Sequence, residues 1–152
     1  MSRVVSIHMS RDPIEHLQHL YADAVIRYDA EQWGATWAPD ATWELGAGRT
    51  VEGREAILSL WHSAMGNFHA VCQNVLNGTY ELDEEAGTGT GRWYIIEHYH
   101  RRGDDGGTKG RLLAYYQDTY TRVDGRWVFA SRELVPQYNG PADMSGDFLN
   151  FR

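Results

Sequence analysis

Four side chains break the packing pattern of this chain in ways that chemistry could use. Asp29 follows Tyr28 at the edge of an amphipathic stripe, where a carboxylate either caps against solvent or points into a cavity beneath the helix. His69 opens a run in which Asn67, His69, Val71 and Gln73 fall on one face of a strand. A neutral imidazole there is a usable base near pH 7, although a hydrogen-bonded structural histidine reads the same. Glu97 shares its face with Trp93, Ile95 and Tyr99, and a carboxylate among such rings is costly to bury unless hydrogen-bonded or protonated. Arg132 shares a row with Val128, Ala130 and Leu134, so its guanidinium also lies among apolar neighbours. Each is ambiguous alone; together they outline a pocket.

Other constellations carry less. Gly87-Thr-Gly-Thr-Gly91 precedes a strand, whereas a phosphate cradle needs a helix N-terminus after its glycines. Close backbone approach in a bent strand explains those glycines better. His98 and His100 share a strand face at a spacing that can chelate, but no third ligand follows at a familiar interval, so no metal site is assigned. His16 and His19 flank an apolar stripe and read as solvated. Cys72 alternates away from His69 and reads as a small buried apolar residue, which leaves no Cys–His nucleophile pair.

The elements that must position these groups follow from periodicity. Asp12-Pro13-Ile14-Glu15 is a helix start, and Ile14, Leu17, Leu20/Tyr21, Ala24/Val25 and Tyr28 form a buried stripe with Gln18, Asp23 and Arg27 off it. A second helix is predicted over Glu31–Trp37, stopped at Ala38-Pro39-Asp40, and a third over Arg54–Met65. Thr42–Leu45 reads as a short strand. The period then changes to two, predicting strands over 68–82, 88–102, 110–122 and 126–135, with Asp124-Gly125 as the cleanest hairpin turn. Helices first and long antiparallel strands after make an α+β fold, helices packed on one face of a curved sheet. Residues 1–11 read as a loose arm, 12–135 as one domain, and 136–152 as an irregular tail available to cover the pocket or a neighbouring subunit.

Composition narrows the partners. The 152 residues carry 14 basic and 21 acidic side chains, a formal charge of -7, which disfavours nucleic acid and anionic membranes. One cysteine excludes an internal disulfide framework and fits a reducing, cytoplasmic setting; the N-terminus has no secretory pattern. Six Trp, nine Tyr and four Phe must fill a core or line a cavity. Trp61, Trp127 and Phe129 read as packing, and Tyr28, Trp43, Trp93 and Tyr116 as pocket walls. Tyr94, Ile96 and His98 give the outer sheet face apolar character that needs cover, predicting a homo-oligomer.

Several segments resemble one family. Tyr28-Asp29, Trp37-Ala-Pro-Asp40-Ala-Thr-Trp43, Val51-Glu-Gly53-Arg-Glu-Ala-Ile57, His69, Gly91-Arg-Trp-Tyr94, Tyr116-Gln-Asp118 with Arg122, and Asp124-Gly-Arg-Trp127 with Arg132 resemble the SnoaL-like branch of the nuclear-transport-factor-2-like cone fold. The resemblance spans about residues 12–135 and implies a cone-shaped α+β barrel, with a trimer favoured over a dimer. Its dehydrochlorinase and dehydratase members imply an Asp–His dyad at Asp29 and His69, a pocket arginine at Arg132 and a pocket tryptophan at Trp43. They place pocket faces at Trp93, Ile95 and Glu97 and at Leu112, Ala114 and Tyr116, with Tyr28 beside the dyad. The implied chemistry is a β-elimination without cofactor on a small, mostly apolar alicyclic or steroid-like molecule. An isomerase or cyclase using Glu97 or Asp29, or a non-catalytic binder, would use the same cavity. Glu97 and Tyr116 make the pocket more polar than in the dehydrochlorinases.

Overall fold

A computed structural model describes residues 12–151, so the N-terminal arm predicted over residues 1–11 lies outside the described residues. Asp12 starts the first helix, α1 (Pro13–Arg27), by accepting the amides of Ile14 and Glu15, both at 2.9 Å. Tyr80 donates its hydroxyl to the same carboxylate, and that bond pushes the phenol up to about 12. Ile14, Leu17, Tyr21, Ala24 and Val25 form the predicted stripe. Gln18 departs from the expectation: one turn beyond Ile14, it is buried with them. Tyr28 departs in the other direction, because it ends α1 in a left-handed conformation (φ 56°) that turns its ring half out to solvent.

The second helix, α2 (Ala30–Ala35), is shorter than predicted, and Pro39 does not stop it. Chain 37–44 instead forms the strand β1 (Trp37–Glu44), with Pro39 where the register with its neighbour slips, the position a strand tolerates for a residue lacking N–H. A short β2 (Thr50–Glu52), not predicted, leads into α3 (Arg54–Met65), whose bounds match the expectation. Arg54 fastens that helix to β1 through the Trp37 carbonyl, at 2.6 and 3.0 Å.

Four long strands complete the sheet: β3 (Phe68–Asp83), β4 (Thr88–Arg101), β5 (Thr108–Val123) and β6 (Arg126–Gly140). The order is β2-β1-β6-β5-β4-β3, antiparallel except for β1 beside β6, and the sheet does not close. Asp124 and Gly125 (φ 51° and 77°) make the predicted hairpin turn. The helices cover the concave face, giving the expected α+β cone. Trp33, Trp37, Phe129 and Ile57 lie fully buried between the layers. Gly91 earns its place by close approach: a Cβ there would overlap the Tyr120 hydroxyl and Tyr80. The chain after 135 is less irregular than expected. β6 runs on to Gly140, and the segment beyond folds back on it through the Tyr138–Phe148 bridge and a bond from the Leu149 amide to the Gln137 carbonyl (2.8 Å).

Candidate functional site

Two bulges decide where the predicted site residues point. In β6, Ser131 pairs with Thr119 but Phe129 pairs with Tyr120, leaving Ala130 as the extra residue. Phe129 therefore faces inward with Arg132, and the expected Val128–Ala130–Arg132 row is broken. In β3, Phe68 pairs with Arg101 but Ala70 with His100. That slip puts Phe68 against the core and leaves His69 exposed at the sheet's open end, off the face of Val71 and Gln73.

Arg132 sits at the closed end, 1% exposed. Its Nε donates to Asp118 at 2.7 Å, and its Nη2 donates to Asp118 at 2.9 Å and to Gln18. The guanidinium carbon lies 3.7 Å from the Tyr116 ring centre, 3.8 Å from Phe129 and 4.5 Å from Tyr21. Burial alone would lower its pKa, but the Asp118 carboxylate and the two tyrosines hold it above its ordinary value. Gln18 also donates to Asp118 (3.0 Å), as does Tyr120 (3.0 Å), so this ion pair is ringed by satisfied partners. Sequence reasoning missed Asp118 and Gln18 as its partners. The signal was there: the period that groups Leu112, Ala114 and Tyr116 continues to Asp118, which pairs across the ladder with Arg132.

Glu97 lies midway between the two ends, half-buried and opposite Gln73 on β3 and Leu112 on β5. Gln73 donates to its Oε1 at 2.6 Å and lies 3.3 Å from the Tyr116 hydroxyl, which reaches the Tyr21 hydroxyl at 3.5 Å. No cation pairs with Glu97 among the described residues, and burial pushes its carboxyl up, with Gln73 working the other way. Trp93, Ile95, Leu112, Ala114 and Tyr116 share the interior as predicted, and Trp43 joins them, packed against Trp33 and Trp37. The expected division of aromatics into packing and pocket walls does not hold. Trp61 and Trp43 both contact Trp33, and Phe129 touches the Arg132 guanidinium. The indole N–H groups of Trp33, Trp37, Trp43 and Trp93 are buried without a hydrogen-bond partner.

At the open end a recess of about 220 Å³ lies between the C-terminal ends of α1 and α3 and the start of β3. Val25, Ile26, Met65, Phe68 and Val71 give it apolar walls, and Tyr28, His69 and Arg102 its polar groups. The His69 ring lies 4.6 Å from that of His100. Desolvation, then Arg102 and His100, push its pKa below the usual value, which keeps the imidazole neutral at pH 7. Tyr28 stacks on Trp61 (5.1 Å) with its hydroxyl 3.3 Å from His62 Nδ1. Asp29 caps α2 through the Gln32 amide (2.9 Å) and accepts Arg27 Nη2 at 3.0 Å. No hydrogen bond joins Asp29 to His69 among the described residues. A larger groove of about 410 Å³ between α1, α2 and the β5–β6 turn holds none of the predicted site residues.

Among the described residues no group of three or more His, Cys, Asp or Glu is placed to hold a metal ion. His98 instead accepts Arg111 Nε at 3.0 Å, and His100 Nε2 donates to the Gly106 carbonyl at 2.6 Å. Cys72 is exposed rather than buried, because its parity on β3 is opposite to Val71 and Gln73. No helix among the described residues is long and apolar enough to cross a membrane.

Residues 9–133 match the model of the SnoaL-like domain. Over 130 residues the sequence is 27% identical to gamma-hexachlorocyclohexane dehydrochlorinase of Sphingobium indicum, covering 82% of this chain and 81% of that protein. The crystal structure of LinA superimposes with a TM-score of 0.77 at 24% identity, over 94% of this chain and 95% of the other. A scytalone-dehydratase-like protein of Novosphingobium aromaticivorans gives a TM-score of 0.78 at 19% identity, over 92% of each chain. At these identities the superpositions establish the fold, a nuclear-transport-factor-2-like cone.

Proposed function

The chain belongs to the family of SnoaL-like domains, and from that premise we propose that it is a lyase working without cofactor. Its reaction is a β-elimination, a dehydration or the loss of another leaving group, on a small, mostly apolar alicyclic or steroid-like molecule. The similarity to a dehydrochlorinase supports the reaction class. The observation that carries it is His69: an imidazole kept neutral by its surroundings, on the wall of a largely apolar recess.

In this reading His69 removes a proton from the carbon beside the leaving group, and Tyr28 offers a hydroxyl at the same rim. The cation formed on His69 needs a counter-charge, which Asp29 supplies. Its oxygens are held by Gln32 and Arg27, so pairing with His69 requires Arg27 to release it. Arg132 acts indirectly. Its Nε and Nη2 are committed to Asp118 and Gln18, and it holds the Tyr116 and Tyr21 rings in place as a positioning residue. Trp43, Trp93, Ile95, Leu112 and Ala114 do not line the recess; they pack in the apolar core with Val71, which does. A homo-oligomer, with a trimer favoured, would cover the outer sheet face, where Tyr94 and Ile96 are only half-buried.

The test is a mass-spectrometric screen of alicyclic alcohols, ketones and halides for products lighter by water or hydrogen halide. Turnover is expected to fall at acidic pH as His69 protonates, below its unperturbed value of about 6.5. Products of unchanged mass would replace elimination by isomerisation, and no chemical change would leave a binding protein.

A further inference from the structure

The recess at the open end is charged against the rest of the molecule. The chain carries a formal charge of -7, yet the wall of the recess includes Arg102 and His69 and no carboxylate. Neighbouring arginines are already engaged. Arg27 binds Asp23 and Asp29, and the Arg101 guanidinium lies 5.2 Å from the centre of the Phe68 ring and 5.7 Å from that of Tyr99. Arg102 differs. Its backbone amide donates to the Asn67 carbonyl at 2.8 Å, which fastens the end of β4 to the turn before β3. Its guanidinium has no hydrogen bond, ion pair or ring contact among the described residues, although Asp104 and Asp105 follow closely in the chain. The charge of Arg102 is felt at His69, so both groups front the same space.

A guanidinium stays ionised at every working pH and offers a planar fork of donors that fits a carboxylate. In open water such a pair is worth little. Here Val25, Ile26, Met65, Phe68 and Val71 stand beside it, and a ligand whose ring covers those walls takes water away from the pair and strengthens it. A cationic ligand meets an uncompensated positive charge, and a wholly apolar one leaves that charge poorly solvated. The volume limits the ring. At about 220 Å³ the recess lies below the roughly 300 Å³ at which sites for drug-sized ligands begin, which suits one ring and not a steroid skeleton.

We propose that Arg102 is the anion-binding group of the recess, and that its ligand is a single-ring carboxylic acid, held as the carboxylate with its ring against the apolar walls. As a substrate class this rests on the lyase reading above and narrows it to alicyclic acids; as a binding site it does not need His69 to be the base.

The test compares cyclohexanecarboxylate with the neutral cyclohexanecarboxamide, of nearly the same shape, titrated at neutral pH and followed by proton–nitrogen NMR spectra. The wild-type protein is expected to favour the carboxylate about tenfold, the low end for a hydrogen bond to a charged group. The backbone signals of Phe68, Val71 and Arg102 should be among those that shift. Arg102→Gln is expected to erase the preference while keeping the backbone bond to Asn67. Arg102→Met, which keeps the apolar stem, is expected to do the same and decides if the glutamine variant does not fold. Equal binding of both probes by the wild type, binding of neither, shifts confined to residues outside the recess, or a full preference in either variant would overturn the proposal. His69→Ala is expected to keep the carboxylate preference whatever it does to turnover, so failure of the base assignment and failure of this proposal give different results. A preference lost in His69→Ala and kept in Arg102→Gln would put the carboxylate on the wrong group and contradict it.

Discussion

The two ends of the cone treat charge in opposite ways. At the closed end, Arg132 and Asp118 are both buried, and Gln18, Tyr120 and three aromatic rings surround them. At the open end, His69 is exposed, beside another imidazole and an arginine, with no carboxylate bonded to it among the described residues. A group whose bonding capacity is used up within the fold holds the fold together; one whose capacity is left open is free for a ligand. The more conspicuous of the two in the sequence, a buried arginine, therefore has the less chemical role. Glu97 stands between them, half satisfied.

Breaking the closed end should have the largest effect. Asp118→Ala leaves Arg132 charged and unpaired in the core, and is expected to cost about 3–5 kcal/mol in denaturant unfolding. A loss under about 1 kcal/mol would mean that water reaches the guanidinium and the two ends are not distinct. Gly91→Ala probes the same region through packing. Its Cβ would collide with the Tyr120 hydroxyl, and the expected cost is about 1–3 kcal/mol in the same measurement.

Glu97→Gln is expected to act in the other direction and more gently. A carboxyl whose folded pKa is raised favours folding while protonated, and that advantage is lost as pH rises from its unfolded value, about 4.3, through the folded one. The variant should match the wild type in thermal stability near pH 4 and exceed it near pH 8. A lower midpoint at both pH values would make Glu97 a structural residue.

The sequence made the layers legible. Pattern and caps place α3 to the residue, and alternation groups Trp93, Ile95 and Glu97 with Leu112, Ala114 and Tyr116, all of which face inward. Alternation carries one assumption, that every residue advances the strand by one step. The slips at Phe68–Ala70 and at Ala130 violate it, so alternation alone puts His69 beside Gln73 and Phe129 away from Arg132, and the fold does neither. Pro39 misled for a related reason, since a proline can sit at a register slip in a strand as well as at a helix end. Gln18, read as off the stripe, stands one helical turn from Ile14 and is buried with it, its amide spent on Asp118 and Arg132. The partner of a buried charge was the least visible feature, because Asp118 lies in another strand and only the ladder brings it to Arg132.

The central claim is that the open end carries the chemistry, with His69 as the base. Its most direct test is His69→Ala, with unfolding and turnover of a substrate found by the screen measured on the same preparation. The account predicts stability within about 0.5 kcal/mol of wild type and turnover lowered about 10²–10⁴-fold. Turnover within a few-fold of wild type would contradict it.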